Sequence, residues 1–197
     1  MNRRSTLHDC IARSPADDGL GSAVTATILA MAKAAIDLSD IVAAGPLLSG
    51  PEHETGINAD GDKQTKIDVL ADTLFCSALR MAPVAAVLSE ECDLPIGMTD
   101  DAPLCVAIDP LDGSANLENN ISVGTIFSIR PRGRDALSTF FEPGTAQVAA
   151  GFFIYGPQTT LVLAMHKRVD IYGLDRRAGE FVLTRQNVSV PPDTAEY

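Results

Sequence analysis

The chain has 197 residues, 46% of them hydrophobic, enough to bury one sizeable core. Its formal net charge of −11 and pI near 4.5 exclude nucleic acid and an anionic membrane surface as natural partners, because both would be repelled. Cations are the natural counterpart, and a small anionic substrate is admitted only where metal ions or local basic groups reverse the field.

The N-terminal stretch MNRRSTLHDCIARS carries basic residues without a following apolar run, and no segment is read as long enough to span a membrane, so residues 1–19 are expected to be a tail of a soluble, cytoplasmic protein. From Leu20 the apolar residues Val24, Ile28, Met31, Ala35, Leu38 and Ile41 recur at three- and four-residue steps and stop at Gly45-Pro46, which predicts a long amphipathic helix. Residues 47–61 are rich in glycine and charge, show no period, and read as a mobile surface loop. A second helix is expected over about Asp62 to Leu79, with Ile67, Leu70, Ala71, Leu74 and Ala78 on one face.

After Pro83 the pattern changes to short apolar runs at 84–88, 104–108, 124–129, 147–155, 159–165, 169–174 and 180–185, which read as strands. The last four are joined by connections too short for helical crossovers, which predicts an antiparallel meander. Helices first and strands afterwards give an α+β fold in which helices pack on a largely antiparallel sheet, as one domain over residues 20–197. Cys10, Cys76, Cys92 and Cys105 form no C-x-x-C pair and have no histidine at ligand spacing, so they read as reduced thiols.

Acidic groups stand where elements meet. The run at 84–88 ends in Ser89-Glu90-Glu91, the run at 104–108 ends in Asp109-Pro110-Leu111-Asp112, and the loop ends in Asp60-Gly61-Asp62. Hard divalent cations bind through a few carboxylates plus substrate phosphate. Asp109 and Asp112 can supply them from a tight turn in which Pro110 fixes φ and the Leu111 carbonyl serves as a further ligand. Gly113 admits close backbone approach, and the Ser114 hydroxyl with its neighbouring amides can donate to phosphate. Turn chemistry alone also explains Asp-Pro-x-Asp-Gly, and a Glu-Glu pair alone is usually a solvated surface; their joint position after apolar strands favours metal chemistry. Asp68, within Ile67-Asp68-Val69-Leu70, is either the polar flank of a helix or a partly buried carboxylate that shares a proton with a neighbour. An Asp-x-Asp phosphatase is disfavoured because the second aspartate stands three residues on, and a calcium-binding EF-hand starting at Asp60 fails at Thr65, where that loop needs glycine.

The segments GDKQTKIDVLAD, SEE, DPLDGSAN, SVGTIFSI, VAAGFFIYGPQTTLVLAM and GEFVLT, in this order, resemble the N-terminal part of class I fructose-1,6-bisphosphatase, a Mg²⁺-dependent sugar phosphatase, over about Leu20 to Tyr197. DPLDGS marks the wider lithium-sensitive superfamily that includes inositol monophosphatases, and the other segments narrow it. The resemblance implies the N-terminal domain of that sugar-phosphatase fold, a homotetramer, and two or more Mg²⁺ or Mn²⁺ ions per site. It assigns Glu90, Asp109, Asp112 and the Leu111 carbonyl to metal, Asp62 to a loop that closes over the site, and Asp68 with Glu91 to taking a proton from the attacking water. It assigns Asp112, Gly113, Ser114 and Ala115 to the 1-phosphate of a sugar bisphosphate, with Ala115 standing where the family commonly has a second serine. Leu20, Val24, Pro103 and Leu104 replace the phosphate-binding residues of the animal AMP site, which implies an enzyme that AMP does not inhibit. Family members continue past the point matching Tyr197 into a second α/β domain that holds the sugar and the 6-phosphate. This chain is therefore expected to be truncated, to expose an apolar face and to turn over little substrate alone; sedoheptulose 1,7-bisphosphate or inositol phosphate as substrate, and a non-catalytic domain that binds a full-length paralogue, are the alternatives.

Overall fold

The computed structural model describes residues 5–12, 19–45, 54–57 and 63–191. Part of the expected tail is folded: α1 (Leu7–Ile11) starts in a capping box, with the Asp9 amide donating to Thr6 Oγ1 at 3.1 Å and the Thr6 amide to Asp9 Oδ2 at 3.2 Å. Leu7 and Ile11 are buried, and the Leu183 amide donates to the Ser5 carbonyl, so this segment covers the strand at one sheet edge.

The long helix is α2 (Gly19–Ala44), with Ile28, Met31, Ala35 and Leu38 fully buried and the hydroxyl of buried Thr27 donating to the Ala23 carbonyl. It is long and apolar enough to cross a membrane, which corrects the expectation that no segment reaches that length. Its apolar stripe lies in the protein core, where the same composition is what a sheet-covering helix needs.

Two expectations about the loop change. Glu54–Ile57 (β1) pairs antiparallel with Lys63–Thr65 (β2), so the stretch read as patternless contains a hairpin strand; residues 46–53 and 58–62 lie outside the described residues. The second helix, α3 (Lys66–Arg80), starts after β2 rather than at Asp62, because Thr65 caps it.

The strands β3 (Val84–Ser89), β4 (Ile96–Gly97), β5 (Leu104–Asp112) and β6 (Val123–Pro131) are followed by the short helix α4 (Ala136–Phe140) and then by β7 (Ala149–Tyr155), β8 (Thr160–Met165), β9 (Arg168–Asp175) and β10 (Glu180–Arg185). They form one eight-stranded sheet in the order β10-β9-β8-β7-β6-β5-β3-β4. Every neighbouring pair is antiparallel except β3 with β5, and the predicted meander is β7 to β10.

Side chains alternate across a strand, so the sheet has two distinct faces. One presents Phe127, Ile129, Phe153, Leu161, Leu163 and Tyr172 to the core shared with α2 and α3. The opposite face carries two cross-strand rows, Ile126–Phe152–Val162–Ile171 and Ser128–Ala150–Ala164–Val169. Ile126 and Phe152 there are 48% and 40% exposed, values that mark an apolar surface left open to solvent among the described residues.

Phe153 ties the core together. Its ring centroid lies 5.7 Å from those of Phe127 and Phe181 and 6.4 Å from that of Phe75 on α3, all tilted as aromatic pairs prefer. Phe153→Ala should therefore lower stability by about 3–5 kcal/mol in a urea titration. A loss below about 1 kcal/mol would show that the helix and sheet layers are not joined through this ring.

Candidate metal and phosphate site

Because β3 and β5 run parallel with Ser89 opposite Ile108, both chains leave the sheet at the same end. The Glu90 amide extends the ladder by donating to the Ile108 carbonyl at 3.0 Å, which sets Glu90 beside Asp109. Burial pushes the Asp109 carboxyl up, and a hydrogen bond with Glu90 together with the charges of Glu90 and Asp112 carries it to about 8. The Leu111 amide, donating to Asp109 Oδ1 at 3.1 Å, opposes this. The structure thus places two of the predicted carboxylates, Glu90 and Asp109, in hydrogen-bond contact, with Asp112 within electrostatic reach.

The expected turn at 109–112 is a bulge within β5. Asp109 pairs with Ile126 and Asp112 with Gly124, so Pro110 and Leu111 face the single residue Thr125. The Leu111 side chain is buried and anchors the bulge, while Asp109 is half-buried and Asp112 is exposed. Gly113 follows at φ +76°, and a Cβ there would stand 3.0 Å from the Asn116 side-chain nitrogen, so the site needs glycine. Ser114 and Ala115 open a short 3₁₀ helix (Ser114–Asn119), Ser114 half-buried and Ala115 exposed.

Asp68 is only 3% exposed, which suits the buried carboxylate among its two readings better than the polar flank of a helix. Its Oδ2 accepts from the Thr65 amide at 2.7 Å and the Thr65 hydroxyl at 2.8 Å, while Oδ1 is buried without a hydrogen-bond partner among the described residues. A buried carboxylate oxygen left without a partner is costly, and a cation placed beside it would offset that cost. Glu91 stands on the turn after β3, its amide donating to Ser89 Oγ at 3.3 Å. Asp62 lies outside the described residues.

Sequence reasoning gave Asp72 no role. One turn beyond Asp68, its Oδ1 accepts from Ser89 Oγ at 2.6 Å and from Cys76 Sγ at 3.6 Å, and so fixes the turn that carries Glu90 and Glu91. The available signal is the i, i+4 spacing of the two aspartates on one helix face. The same environment, burial first and Asp72 second, raises the Cys76 thiol to about 12, which leaves it inert at neutral pH.

The donor set around Asp109 is all oxygen, the chemistry that hard divalent cations take. Among the described residues no three acidic, histidine or cysteine side chains close on one point, as expected of like charges held apart by their own repulsion. The residues nevertheless fit a cation that also draws ligands from a carbonyl, water and substrate phosphate. Glu90 and Asp109, though not Asp112, line a groove of about 930 Å³ that also takes in Cys92 and Asp93 and extends onto the open apolar face.

The raised Asp109 carboxyl has a consequence for stability. A carboxyl lifted from its ordinary 3.8 to about 8 adds stability that is whole below pH 4 and lost as pH rises to 8. Metal-free chain should therefore melt lower at pH 8 than at pH 6. Asp109→Asn should flatten that dependence and raise the pH 8 midpoint by a few degrees, each kcal/mol counting for about 2–4 °C in a chain of this size. Excess Mg²⁺ should raise the wild-type midpoint more at pH 8 than at pH 5, and have little effect on Asp109→Asn. Equal shifts in both proteins would rule out Asp109 as a cation ligand.

Comparison with known proteins places the chain in a family. Residues 20–186 match the family described as fructose-1-6-bisphosphatase, N-terminal domain. The chain is 56% identical over 197 residues to a class 1 fructose-1,6-bisphosphatase of Bradyrhizobium sp. (strain BTAi1), covering 100% of this chain and 56% of that protein. It is 45% identical to the class 1 fructose-1,6-bisphosphatase of Nitrobacter vulgaris, covering 100% of this chain and 57% of that one. The crystal structure of Leishmania major fructose-1,6-bisphosphatase in holo form superposes with a TM-score of 0.87 at 28% identity, over 96% of this chain and 60% of that chain. The chain thus spans a little over half the length of the relatives it matches. It belongs to the fructose-1,6-bisphosphatase family, whose N-terminal domain it carries.

Proposed function

We propose that this chain is the metal-binding half of a Mg²⁺-dependent phosphatase that hydrolyses the 1-phosphate of fructose 1,6-bisphosphate, giving fructose 6-phosphate and phosphate. The observation that supports it is the Glu90–Asp109–Asp112 cluster, assembled at the ends of parallel strands in a chain of this family. Glu90, Asp109, Asp112 and the Leu111 carbonyl hold the ions. Magnesium supplies positive charge to the phosphate and lowers the pKa of water.

The protein's own groups do the rest. Gly113, Ser114 and Ala115 receive the phosphate oxygens, with only the Ser114 hydroxyl available where a second one is common. Asp68 and Glu91 take the proton of the attacking water, a role that suits the buried Oδ1 of Asp68, which has no partner among the described residues. Asp62 completes the site from the preceding loop. The protein is cytoplasmic and homotetrameric and works in gluconeogenesis or carbon fixation. The open apolar face continuous with the groove is a surface that needs a cover, so the 197-residue chain alone binds metal and phosphate but turns over little substrate.

Calorimetric titration of inorganic phosphate into the chain tests this. Binding should need Mg²⁺, disappear with EDTA, and weaken at least about tenfold in Glu90→Gln and Asp112→Asn. Phosphate binding indifferent to Mg²⁺ and to both substitutions would overturn the site. Rapid phosphate release by the chain from fructose 1,6-bisphosphate would overturn the half-site part alone, and faster release from sedoheptulose 1,7-bisphosphate or inositol 1-phosphate would change the substrate.

A further inference from the structure

The bulge that turns β5 into the candidate site leaves the Pro110 carbonyl outside the strand ladder, and Pro110 itself has no N–H. That carbonyl is not left bare. Thr125, fully buried on β6 directly opposite the bulge, donates its hydroxyl to it at 2.8 Å. Tyr155, 2% exposed at the end of β7, places its hydroxyl 2.7 Å from the same Thr125 oxygen. Thr125 pairs with Phe153, so Tyr155 reaches it along the diagonal of the β6–β7 ladder, within the span of an aromatic side chain.

The direction of these bonds follows from proton counting. A threonine hydroxyl has one proton, and a carbonyl can only accept, so the Thr125 proton is committed to Pro110. Tyr155 must then be the donor to Thr125. Burial raises the Tyr155 phenol above its ordinary value, which keeps it a donor throughout the working range of pH.

We infer that Tyr155 and Thr125 are positioning residues for the site. The hydrogen-bond relay from Tyr155 Oη through Thr125 Oγ1 to the Pro110 carbonyl fixes the peptide planes of the 109–112 bulge, and with them the aim of both aspartates and of the Leu111 carbonyl. The inference rests on that bulge being the metal cradle. It explains why a proline, the residue least able to tie itself into a ladder, is tolerated between two ligands: its carbonyl is tied from below instead. Neither residue touches metal or substrate; both act through Pro110.

Three variants separate positioning from simple core stability. Thr125→Val keeps shape and removes both bonds, Thr125→Ser keeps the hydroxyl, and Tyr155→Phe keeps the ring and removes the donor. Mn²⁺ affinity, measured by calorimetry below each variant's melting transition, should weaken about tenfold in Thr125→Val and by a smaller factor in Tyr155→Phe, and Thr125→Ser should restore it. Amide exchange followed by NMR should speed up at Leu111, whose N–H donates to Asp109, while the β8–β9 amides keep the wild-type rate. If Thr125→Val does not fold, Tyr155→Phe against Thr125→Ser decides the question by the same two readouts. Wild-type Mn²⁺ affinity and wild-type Leu111 exchange in the hydroxyl-deleted proteins would overturn the relay. A wild-type chain that binds no Mn²⁺ would overturn the metal reading, while the Leu111 exchange result would still decide the relay.

Discussion

The single parallel strand pair in an otherwise antiparallel sheet governs this molecule. Antiparallel neighbours send their C-terminal ends in opposite directions; only a parallel pair delivers two strand ends to one place. β3 and β5 achieve this with α3 immediately before β3, and their register puts Ser89 level with Ile108 and Glu90 level with Asp109. Shift that register by one residue and the alternation of side chains would turn one carboxylate into the core. The apolar contacts under these strands, from Val87, Val106 and Ile108 to α2 and α3, therefore hold a chemical arrangement as well as a fold.

That arrangement is electrostatically unfavourable by itself. Burial, a hydrogen bond with Glu90 and the charges of Glu90 and Asp112 lift Asp109 far above its ordinary range, and a second buried carboxylate oxygen, on Asp68, has no partner among the described residues. In a chain already at −11, gathering more negative charge at one point serves stability poorly. Such a cost is characteristic of a site that a cation or substrate completes. The surroundings show how the strain is held: Asp72 ties down the Ser89–Glu91 turn through Ser89, and Thr125 with Tyr155 ties down the Asp109–Asp112 bulge through Pro110.

Much of this was legible in the sequence where apolar periodicity is strong. All seven apolar runs became strands, α2 ends where Gly45 predicts, and Glu90 lies beside Asp109 at the end of the parallel strands. What escaped has physical causes. The β1–β2 hairpin has Ile57 as its one large apolar residue and no alternation, so backbone pairing leaves no hydrophobic pattern. α1 is a single turn, too short for periodicity, and only its Thr6–Asp9 capping box announces it. The strand continued through Pro110 because a bulge can absorb a residue that a regular ladder cannot. The supporting roles of Asp72, Thr125 and Tyr155 depend on partners 15 to 30 residues away, and only Asp72 leaves a local trace, its i, i+4 spacing from Asp68.

The central claim is that β3 and β5 exist in parallel to hold a divalent cation between Glu90 and Asp109. Anomalous diffraction from crystals of this chain grown with Mn²⁺ tests it most directly. The account predicts an anomalous peak within ligand distance, about 2.0–2.4 Å, of carboxylate oxygens of both residues. A well-occupied Mn²⁺ bound elsewhere, with Glu90 and Asp109 still hydrogen-bonded to each other, would contradict it.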